Sequence, residues 1–406
     1  MSTDALGQPV TLDDPGSLGA LNDFVEGFIA CEARAVNVLS AARDGSPIVQ
    51  ACIAAVHMFA ESAQAPANAR PFIDKARAGA AKVTARERSF IEAVAAWAGD
   101  DIPLAVALHE HHARDFPRDV AALKLGQYHL FNRGDSPGML RIALPARDAA
   151  ADVPYLHGML AFAWEQCNAL EEAESAARRA IAMRRKEPWA HHALAHVMLT
   201  QGRIDEGHAF MAEVSDTWTG LNSFMVTHNW WHQALFALER DAPGEALRLY
   251  DERVWGVSKD YTQDQINAVS LLARIELAGG DVGGRWQELA PYLAQRTCDQ
   301  VLPFLDMQYL LGLARAGRPE AEALMRNIEA KAAAPRSAPS WCDVCLPASR
   351  GLLAWAQGDH ARAASELGMA MPRLVEIGGS HAQRDLFTRI HRDALERSGQ
   401  VSKAFP

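Results

Sequence analysis

Three histidine-bearing segments recur in this chain at nearly one spacing. His157 and His192 are 35 residues apart, His192 and His228 are 36 apart, and His196 and His232 are again 36 apart. A period of this length is typical of helical-hairpin repeats, and each segment is followed by a turn and a second run of apolar residues at helical spacing. Since equivalent helices of successive repeats stack side by side, we expect these histidines to form a ladder on one surface.

The rest of the chain shows the same organisation. From Leu18 onward the apolar residues follow a helical period, and no run alternates β-branched and polar residues as a strand would. Gly-Asp or Gly-Arg between paired segments is the turn chemistry of tetratricopeptide-type hairpins. We therefore predict an all-α protein, a tetratricopeptide-like helical-hairpin solenoid whose superhelix encloses a concave, histidine-rich cavity.

Composition marks two places where this pattern stops. Residues 1–17 are rich in Asp, Gly and Pro, which predicts a disordered or loosely packed lead-in. Residues 335–347 are rich in Pro and Ser and predict a loop. Because solenoid repeats share one continuous core, we expect residues 18–406 to form a single domain that this loop interrupts.

Charge and hydropathy exclude several classes of partner. A net charge of −10 provides no basic face for nucleic acid. No run of 18 apolar residues occurs, so we expect no membrane span, and the N-terminus lacks the features of a secretory signal. Six cysteines in 406 residues are ordinary usage and predict no disulfide framework. We expect a cytoplasmic protein that binds a small-molecule ligand, with a homodimer as a possible assembly.

Longer strings within the repeats resemble a known family. The segments YLHGMLAFAWEQC, WAHHALAHVMLTQGRIDEG, HNWWHQALFALE, INAVSLLARIELAGGDVGGRW and GGSHAQRDLF resemble the tetratricopeptide repeat protein 38 family. The resemblance extends from about residue 117 to residue 387 and is densest from 154 to 290. It implies a tetratricopeptide-like α-superhelix, and it implies no particular reaction.

Two positions depart from the pattern of that family. Asn267 stands where the resemblance leads us to expect aspartate. Asp306 is followed by Met307 and Gln308, whereas the family pattern resembles Asp-x-His. If those family positions serve a metal or a proton relay, this chain lacks one carboxylate and one imidazole of it.

Two pairs of histidines have metal-ligand spacing. His192 and His196, and likewise His228 and His232, are four residues apart, so both rings of a pair point the same way from a helix. Adjacent helices would then place four imidazoles around one volume, and imidazole suits zinc, copper, iron and nickel. The residue after the first histidine of each pair is not glutamate, which excludes a zincin. The alternative to a site is that these rings are packing residues, each bonded to a neighbouring group.

Other residues complete the candidate site. Trp164 and Trp231 could form aromatic walls, although tryptophan is also a routine core residue. In the segment GGSHAQRD, Ser380 and Gln383 fit a capping box at the start of the last helix. Arg384 could anchor an anion, or an Arg–Asp pair could simply fix that helix. The predicted catalytic residues are His157, His192, His196, His228, His232, His381, Asp306 and Asp385, and the predicted substrate-binding residues are Trp164, Trp231 and Arg384.

Three functions are consistent with these residues. The first is a small-molecule enzyme that uses the histidines for general acid–base chemistry, of hydrolase or lyase type, since histidine changes charge near neutral pH. The second is an interaction scaffold without catalytic activity, the usual role of tetratricopeptide repeats. The third is a metal centre ligated by His192, His196, His228 and His232. No nucleotide or flavin motif is present, and a divalent metal is the cofactor that the sequence allows.

Overall fold

The computed structural model describes residues 2–400. Over this range the chain forms 21 α-helices and one small antiparallel sheet of two strands, Ser2–Thr3 (β1) and Pro9–Val10 (β2). The predicted all-α class is confirmed. None of the helices in the described residues is long and apolar enough to cross a membrane.

The helices follow one another with short turns between them. The first twelve are Leu18–Ile29 (α1), Pro47–Met58 (α2), Ala65–Gly79 (α3), Ala85–Ala98 (α4), Ile102–Asp115 (α5), Val120–Asn132 (α6), Ser136–Ala143 (α7), Ala146–Ala149 (α8), Pro154–Gln166 (α9), Leu170–Met183 (α10), Pro188–Thr200 (α11) and Ile204–Val214 (α12). The remaining nine are Ser223–Glu239 (α13), Pro243–Leu249 (α14), Thr262–Leu277 (α15), Arg285–Ala294 (α16), Pro303–Arg315 (α17), Glu320–Ala333 (α18), Leu346–Ala356 (α19), His360–Ala370 (α20) and His381–Arg397 (α21).

Antiparallel hairpins form because the first helix of each pair ends at a residue in the left-handed region. Glycine adopts this conformation without steric cost, and asparagine and aspartate tolerate it. The residues at these turns are Asp100, Gly134, Asn168, Gly202, Asp241, Gly279, Gly317 and Gly358. Small residues then let paired helices approach closely. A Cβ on Gly351, for example, would lie 2.9 Å from the backbone nitrogen of Leu367 in α20.

The two helices of a hairpin differ in burial. α9 buries 11 of its 13 residues, whereas α10 buries three of its 14, all of them alanines. α9 packs against both α10 and α11, so the first helices of successive hairpins lie side by side as in a solenoid. Polar side chains on α9 and α11 are therefore enclosed by protein, and this layer carries the histidines.

The chain divides into two compact units where a single domain was predicted. One unit contains residues 2–131 and 135–229, and the other contains residues 132–134 and 230–400. The division falls inside α13, which is one continuous helix. In a repeat array each hairpin contacts mainly its neighbours, so an array can separate into compact units without a linker.

Residues 2–17, predicted as a disordered or loosely packed lead-in, are folded. β1 and β2 pair, and Pro15–Ser17 forms a 3-10 helix. Leu6 and Val10 are buried, and Asp4 forms an ion pair with Arg86 of α4 at 3.5 Å. The prediction of a disordered lead-in from composition is wrong, because the few apolar side chains of this segment are covered by helices that lie far from it in sequence.

The predicted loop at 335–347 contains more structure than its composition suggests. Ser340–Cys345 forms a π-helical segment that leads directly into α19. Trp341, Val344 and Cys345 are buried there. Proline and serine mark the start of the loop, but the apolar side chains that follow return the chain to the core.

Within the first unit, the segment after α1 pairs with the segment before α13. The backbone nitrogen of Ala33 donates to the carbonyl of Gly220 at 2.9 Å, and that of Asn222 donates to Cys31 at 2.8 Å. Nζ of Lys124 donates to the carbonyls of Phe28 and Ile29, both at 3.0 Å, and so caps the C-terminus of α1. These contacts fix the chain immediately before α13.

Candidate metal centre

Four histidine side chains meet between α11 and α13. Nε2 of His192 lies 3.1 Å from Nε2 of His196 and 3.2 Å from Nε2 of His228. One ring nitrogen from each of His192, His196, His228 and His232 lies within 4.8 Å of the other three. All four side chains are at most 2% exposed. The predicted convergence of these residues, here called the four-histidine cluster, is confirmed.

Helical geometry produces this convergence. His192 and His196 are one turn apart on α11, and His228 and His232 are one turn apart on α13. Each pair therefore presents both rings along one face of its helix. Because the two helices meet at those faces, four donor atoms surround one point.

The two separations measured from Nε2 of His192, 3.1 and 3.2 Å, are close to those between metal ligands. Zinc bonds histidine nitrogen at about 2.0–2.1 Å, which puts two ligands of a tetrahedral site about 3.3–3.4 Å apart. An imidazole nitrogen has one in-plane position for a hydrogen or a lone pair. Nε2 of His192 therefore makes one strong hydrogen bond at a time, whereas a cation between the rings accepts a lone pair from every one of them.

Burial keeps the central ring neutral. The pKa of His192 lies well below its usual range, first because the ring is buried and then because His196 and His228 would repel a second positive charge. A neutral imidazole offers a lone pair, and that is the form a metal requires.

Aromatic rings enclose one side of the four-histidine cluster. Trp189 stacks on His192 with ring centroids 4.7 Å apart, and Phe162 lies 4.9 Å from the same ring. Phe224 stacks on His228 at 5.0 Å. An apolar shell of this kind lowers the local dielectric and limits access of water to the nitrogens.

A buried carboxylate lies behind one of the histidines. Oε1 of Glu165 is 3.6 Å from Nδ1 of His196, on the opposite side of the ring from the Nε2 that faces the cluster. The Nε2 amide of Gln166 donates to Oε2 of the same carboxylate at 2.5 Å. Glu165 is 1% exposed, and α9 places it against α11.

Three further predicted residues of the central segments are not among the four converging histidines. The Nε2 atom of His157 is 2.9 Å from the carbonyl oxygen of Ala151, next to the start of α9, and His157 is not one of the four converging residues. Trp231 is fully buried; its ring meets the ring of His232 edge-on at 4.9 Å, and the Arg274 guanidinium lies 5.6 Å from its centre. Trp164 is half-buried and packs against the core of the first unit. Trp164 thus has a core position, whereas Trp231 is a buried neighbour of one cluster histidine.

The C-terminal segment has the predicted capping box, in which Ser380 and Gln383 begin α21. Arg384 donates to the carbonyl of Gly379, and its guanidinium lies 3.4 Å from Nδ1 of His381. The guanidinium of Arg384 thus holds the glycine turn.

Asp385 fixes the last helix through other arginines. Its Oδ2 atom accepts from Arg274 of α15 at 2.9 Å and from Arg389 at 2.6 Å. Arg389 also binds Glu239 of α13 at 2.7 Å. This row of ion pairs ties α21 to α15 and α13 within the second unit.

Asp306 is fully buried near the start of α17. It accepts a hydrogen bond from Gln300 at 2.9 Å, and burial raises its pKa to about 7. Asn267 and Gln308, the two positions that depart from the family pattern, are also buried. All three belong to the second unit.

Four further residues complete the surroundings of the cluster. Glu165, Gln166, Phe162 and Trp189 contact it directly or through one histidine. The only sequence signal for Glu165 is an acidic residue in the apolar run LAFAWEQ, where a charge needs a partner. That signal indicates a buried interaction but does not identify its partner.

Comparison with known proteins adds little. No protein-family model matches the chain. The crystal structure of the TPR domain of P58(IPK) aligns with 79% of this chain and 100% of that chain, at 10% sequence identity and a TM-score of 0.23. An alignment at this TM-score does not establish a shared fold, and the resemblance to the tetratricopeptide repeat protein 38 family stays a prediction.

Proposed function

We propose that this chain is a helical-hairpin binding scaffold that holds one divalent transition-metal ion in the four-histidine cluster. The observation that carries the proposal is that Nε2 of His192 lies 3.1 Å from Nε2 of His196 and 3.2 Å from Nε2 of His228, with His232 one turn further along α13. The metal would join two successive hairpins, since two ligands come from α11 and two from α13.

Zinc is the first candidate for this site. Neutral imidazole suits zinc, copper, iron and nickel, and zinc accepts four nitrogen ligands without a further geometric demand. Four protein ligands close a tetrahedral site, which is typical of structural zinc, whereas catalytic zinc keeps one position for water. A closed and buried site agrees with a scaffold, because the binding free energy then adds to the stability of the fold.

The scaffold function fits the structure better than the acid–base enzyme does. Stacked helical hairpins are chiefly used to bind partners. General acid–base catalysis near neutral pH works best with a pKa near that pH, and the pKa of His192 lies well below its usual range. Hydrolase or lyase activity, the small-molecule ligand and the cytoplasmic location stay predictions.

The metal content of the purified protein tests the proposal. The full chain would be prepared without a polyhistidine tag and analysed by mass spectrometry for zinc, copper, nickel, cobalt, iron and manganese. We expect about one equivalent of metal per chain, and we expect it to be lost in the double variant His192→Ala plus His228→Ala.

A matched control uses another pair of buried histidines. His109 and His129 are 1% and 2% exposed and lie outside the four-histidine cluster, so the double variant His109→Ala plus His129→Ala should keep the metal. Circular dichroism would check the fold of both variants, and titration of chelator-treated wild type with Zn²⁺ gives a result that needs no variant. A wild-type chain that neither carries metal nor binds added Zn²⁺ overturns the metal centre and leaves a metal-free scaffold.

A further inference from the structure

Glu165 is a fully enclosed carboxylate whose position the proposed metal centre leaves unexplained. A buried charge is costly unless it is paired, and His196 and Gln166 are among the partners of this one. Oε1 is 3.6 Å from Nδ1 of His196, and Oε2 accepts from Gln166 at 2.5 Å. The carboxylate therefore lies between the side-chain amide of Gln166 and Nδ1 of His196, the ring nitrogen that faces away from the cluster.

The two nitrogens of His196 face different partners. Nε2 points to His192 at 3.1 Å, and Nδ1 points to Glu165. In a neutral imidazole one nitrogen carries the hydrogen and the other carries the lone pair. A carboxylate next to Nδ1 favours the hydrogen at that nitrogen, which leaves the Nε2 lone pair directed into the cluster.

We propose that Glu165, held by Gln166, is a positioning residue for the metal: its negative charge, 3.6 Å from Nδ1 of His196, keeps the hydrogen at that nitrogen and leaves Nε2 as the ligand. This inference rests on the proposed metal centre. A carboxylate behind a metal-bound histidine fixes the ring and makes its nitrogen more basic, and loss of such a partner typically lowers metal affinity by about 10- to 100-fold.

The assignment brings a third hairpin into the site. The ligands come from α11 and α13, whereas Glu165 and Gln166 belong to α9, which packs against α11. The affinity for metal would then depend on how three successive hairpins pack against one another. The competing account is a plain ion pair between Glu165 and a charged His196, which would stabilise the fold without directing a lone pair at the centre.

Affinity for zinc separates the two accounts. Glu165→Gln removes the negative charge and keeps the shape of the side chain, and zinc affinity would be measured by competition with a chromophoric chelator. Glu187→Gln is the matched control, because Glu187 is also fully buried and instead caps the backbone of Ala190 at the start of α11. We expect a 10- to 100-fold loss in Glu165→Gln and less than a twofold change in Glu187→Gln.

Two spectroscopic measurements would stay unchanged if Glu165 only stabilised the fold, and they therefore test its positioning role. In the Co²⁺-substituted protein, Glu165→Gln should shift the visible ligand-field bands and Glu187→Gln should not. In the Zn²⁺-loaded wild type, long-range ¹H–¹⁵N spectra of histidine-labelled protein should show His196 with hydrogen on Nδ1 and metal on Nε2. The second measurement needs no variant, so the proposal stays testable even if Glu165→Gln does not fold.

The outcomes distinguish this inference from the proposed function. A wild type without metal overturns both. Zinc bound equally tightly, with the same Co²⁺ spectrum, in Glu165→Gln and Glu187→Gln overturns the positioning role alone, as does a zinc-loaded His196 without hydrogen on Nδ1. Weaker zinc binding with a shifted Co²⁺ spectrum in Glu165→Gln supports it.

Discussion

His109, His112 and His129 form another group of buried histidines, which differs from the four-histidine cluster in the direction of its ring nitrogens. Nε2 of His112 is 3.1 Å from Asp119, and the ring of His129 meets Trp97 edge-on at 4.9 Å. The rings of His109 and His129 are 5.6 Å apart. Among the described residues, the group whose donor atoms converge is the four-histidine cluster.

The comparison teaches that the direction of the nitrogens matters more than the number of histidines. The run His109-Glu110-His111-His112 is the densest in histidine of the whole chain. Its histidines nevertheless face different partners, and His111 is exposed on the surface beside Asp115. In the four-histidine cluster the rings at four-residue spacing face a second pair on another helix, so their lone pairs share a centre.

Electrostatics separates the two groups further. In the second histidine group, burial alone would raise the pKa of Asp119, but hydrogen bonding by His112 and the charge of Arg86 hold it well below its usual range. Arg86 donates to Asp119 at 2.7 Å. This group is therefore balanced by charges of the protein itself, whereas a divalent cation would balance the lone pairs of the four-histidine cluster.

Metal removal should give the largest difference between the two groups. We expect a chelator to lower the free energy of unfolding of the wild type by on the order of 5 kcal/mol, because the metal binds the folded chain. Guanidinium titrations with and without chelator would measure this. Chelator should leave the free energy of unfolding of the variant His192→Ala plus His228→Ala unchanged. A decrease as large as in the wild type would show that the four-histidine cluster does not hold the metal.

Asp119→Ala should cost about 3–4 kcal/mol whether or not metal is present, because it leaves the buried guanidinium of Arg86 without its closest partner. Denaturant unfolding of the metal-loaded and metal-free protein would show this. In Asp119→Ala, chelator should lower the free energy of unfolding by as much as it does in the wild type. If Asp119→Ala abolished metal binding, the two groups would be one coupled network.

Two buried carboxylates of the first unit should give opposite pH dependence. Burial raises the pKa of Glu187 to about 8 from its ordinary 4.5, against the charges of Lys124 and Arg184. A raised carboxyl pKa makes folding less favourable as pH rises between these values, and one pKa unit is worth about 1.4 kcal/mol. The lowered pKa of Asp119 contributes stability above its ordinary 3.8 that is lost as pH falls below that value.

Glu187→Gln should therefore remove a loss of about 3 kcal/mol that the wild type shows between pH 5 and pH 8. Thermal or denaturant unfolding across this range would measure it. Asp119→Ala should retain this slope and instead lose the fall in stability below about pH 4. If Glu187→Gln lost as much stability between pH 5 and pH 8 as the wild type, the loss would come from other titrating groups.

The smallest expected effect concerns the aromatic neighbours of the two groups. Trp189→Ala removes the ring that stacks on His192 and should weaken zinc binding about fivefold, in line with about 1 kcal/mol for an aromatic contact. Trp97→Ala removes the corresponding neighbour of His129 and should leave zinc affinity unchanged. Equal losses in both variants would indicate general loosening of the unit.

The sequence by itself determined the fold class and the main members of the candidate site. A helical period of 3.6 residues puts His192 and His196 on one face, and the 36-residue spacing repeats that face at His228 and His232. It also predicted the capping box of Ser380. These features depend on positions along one helix or on a repeat period, and both can be counted.

Only the tertiary structure decided which further residues join the four histidines. His157 is the third residue after the start of α9, whereas His192 is the fourth after the start of α11. One residue turns a side chain by about 100° around a helix, so the 35-residue spacing takes His157 out of the cluster. Glu165 reaches it because of how α9 packs against α11. Periodicity fixes the angle of a side chain on its own helix, but the rotation and sliding of neighbouring helices depend on how all their side chains pack together.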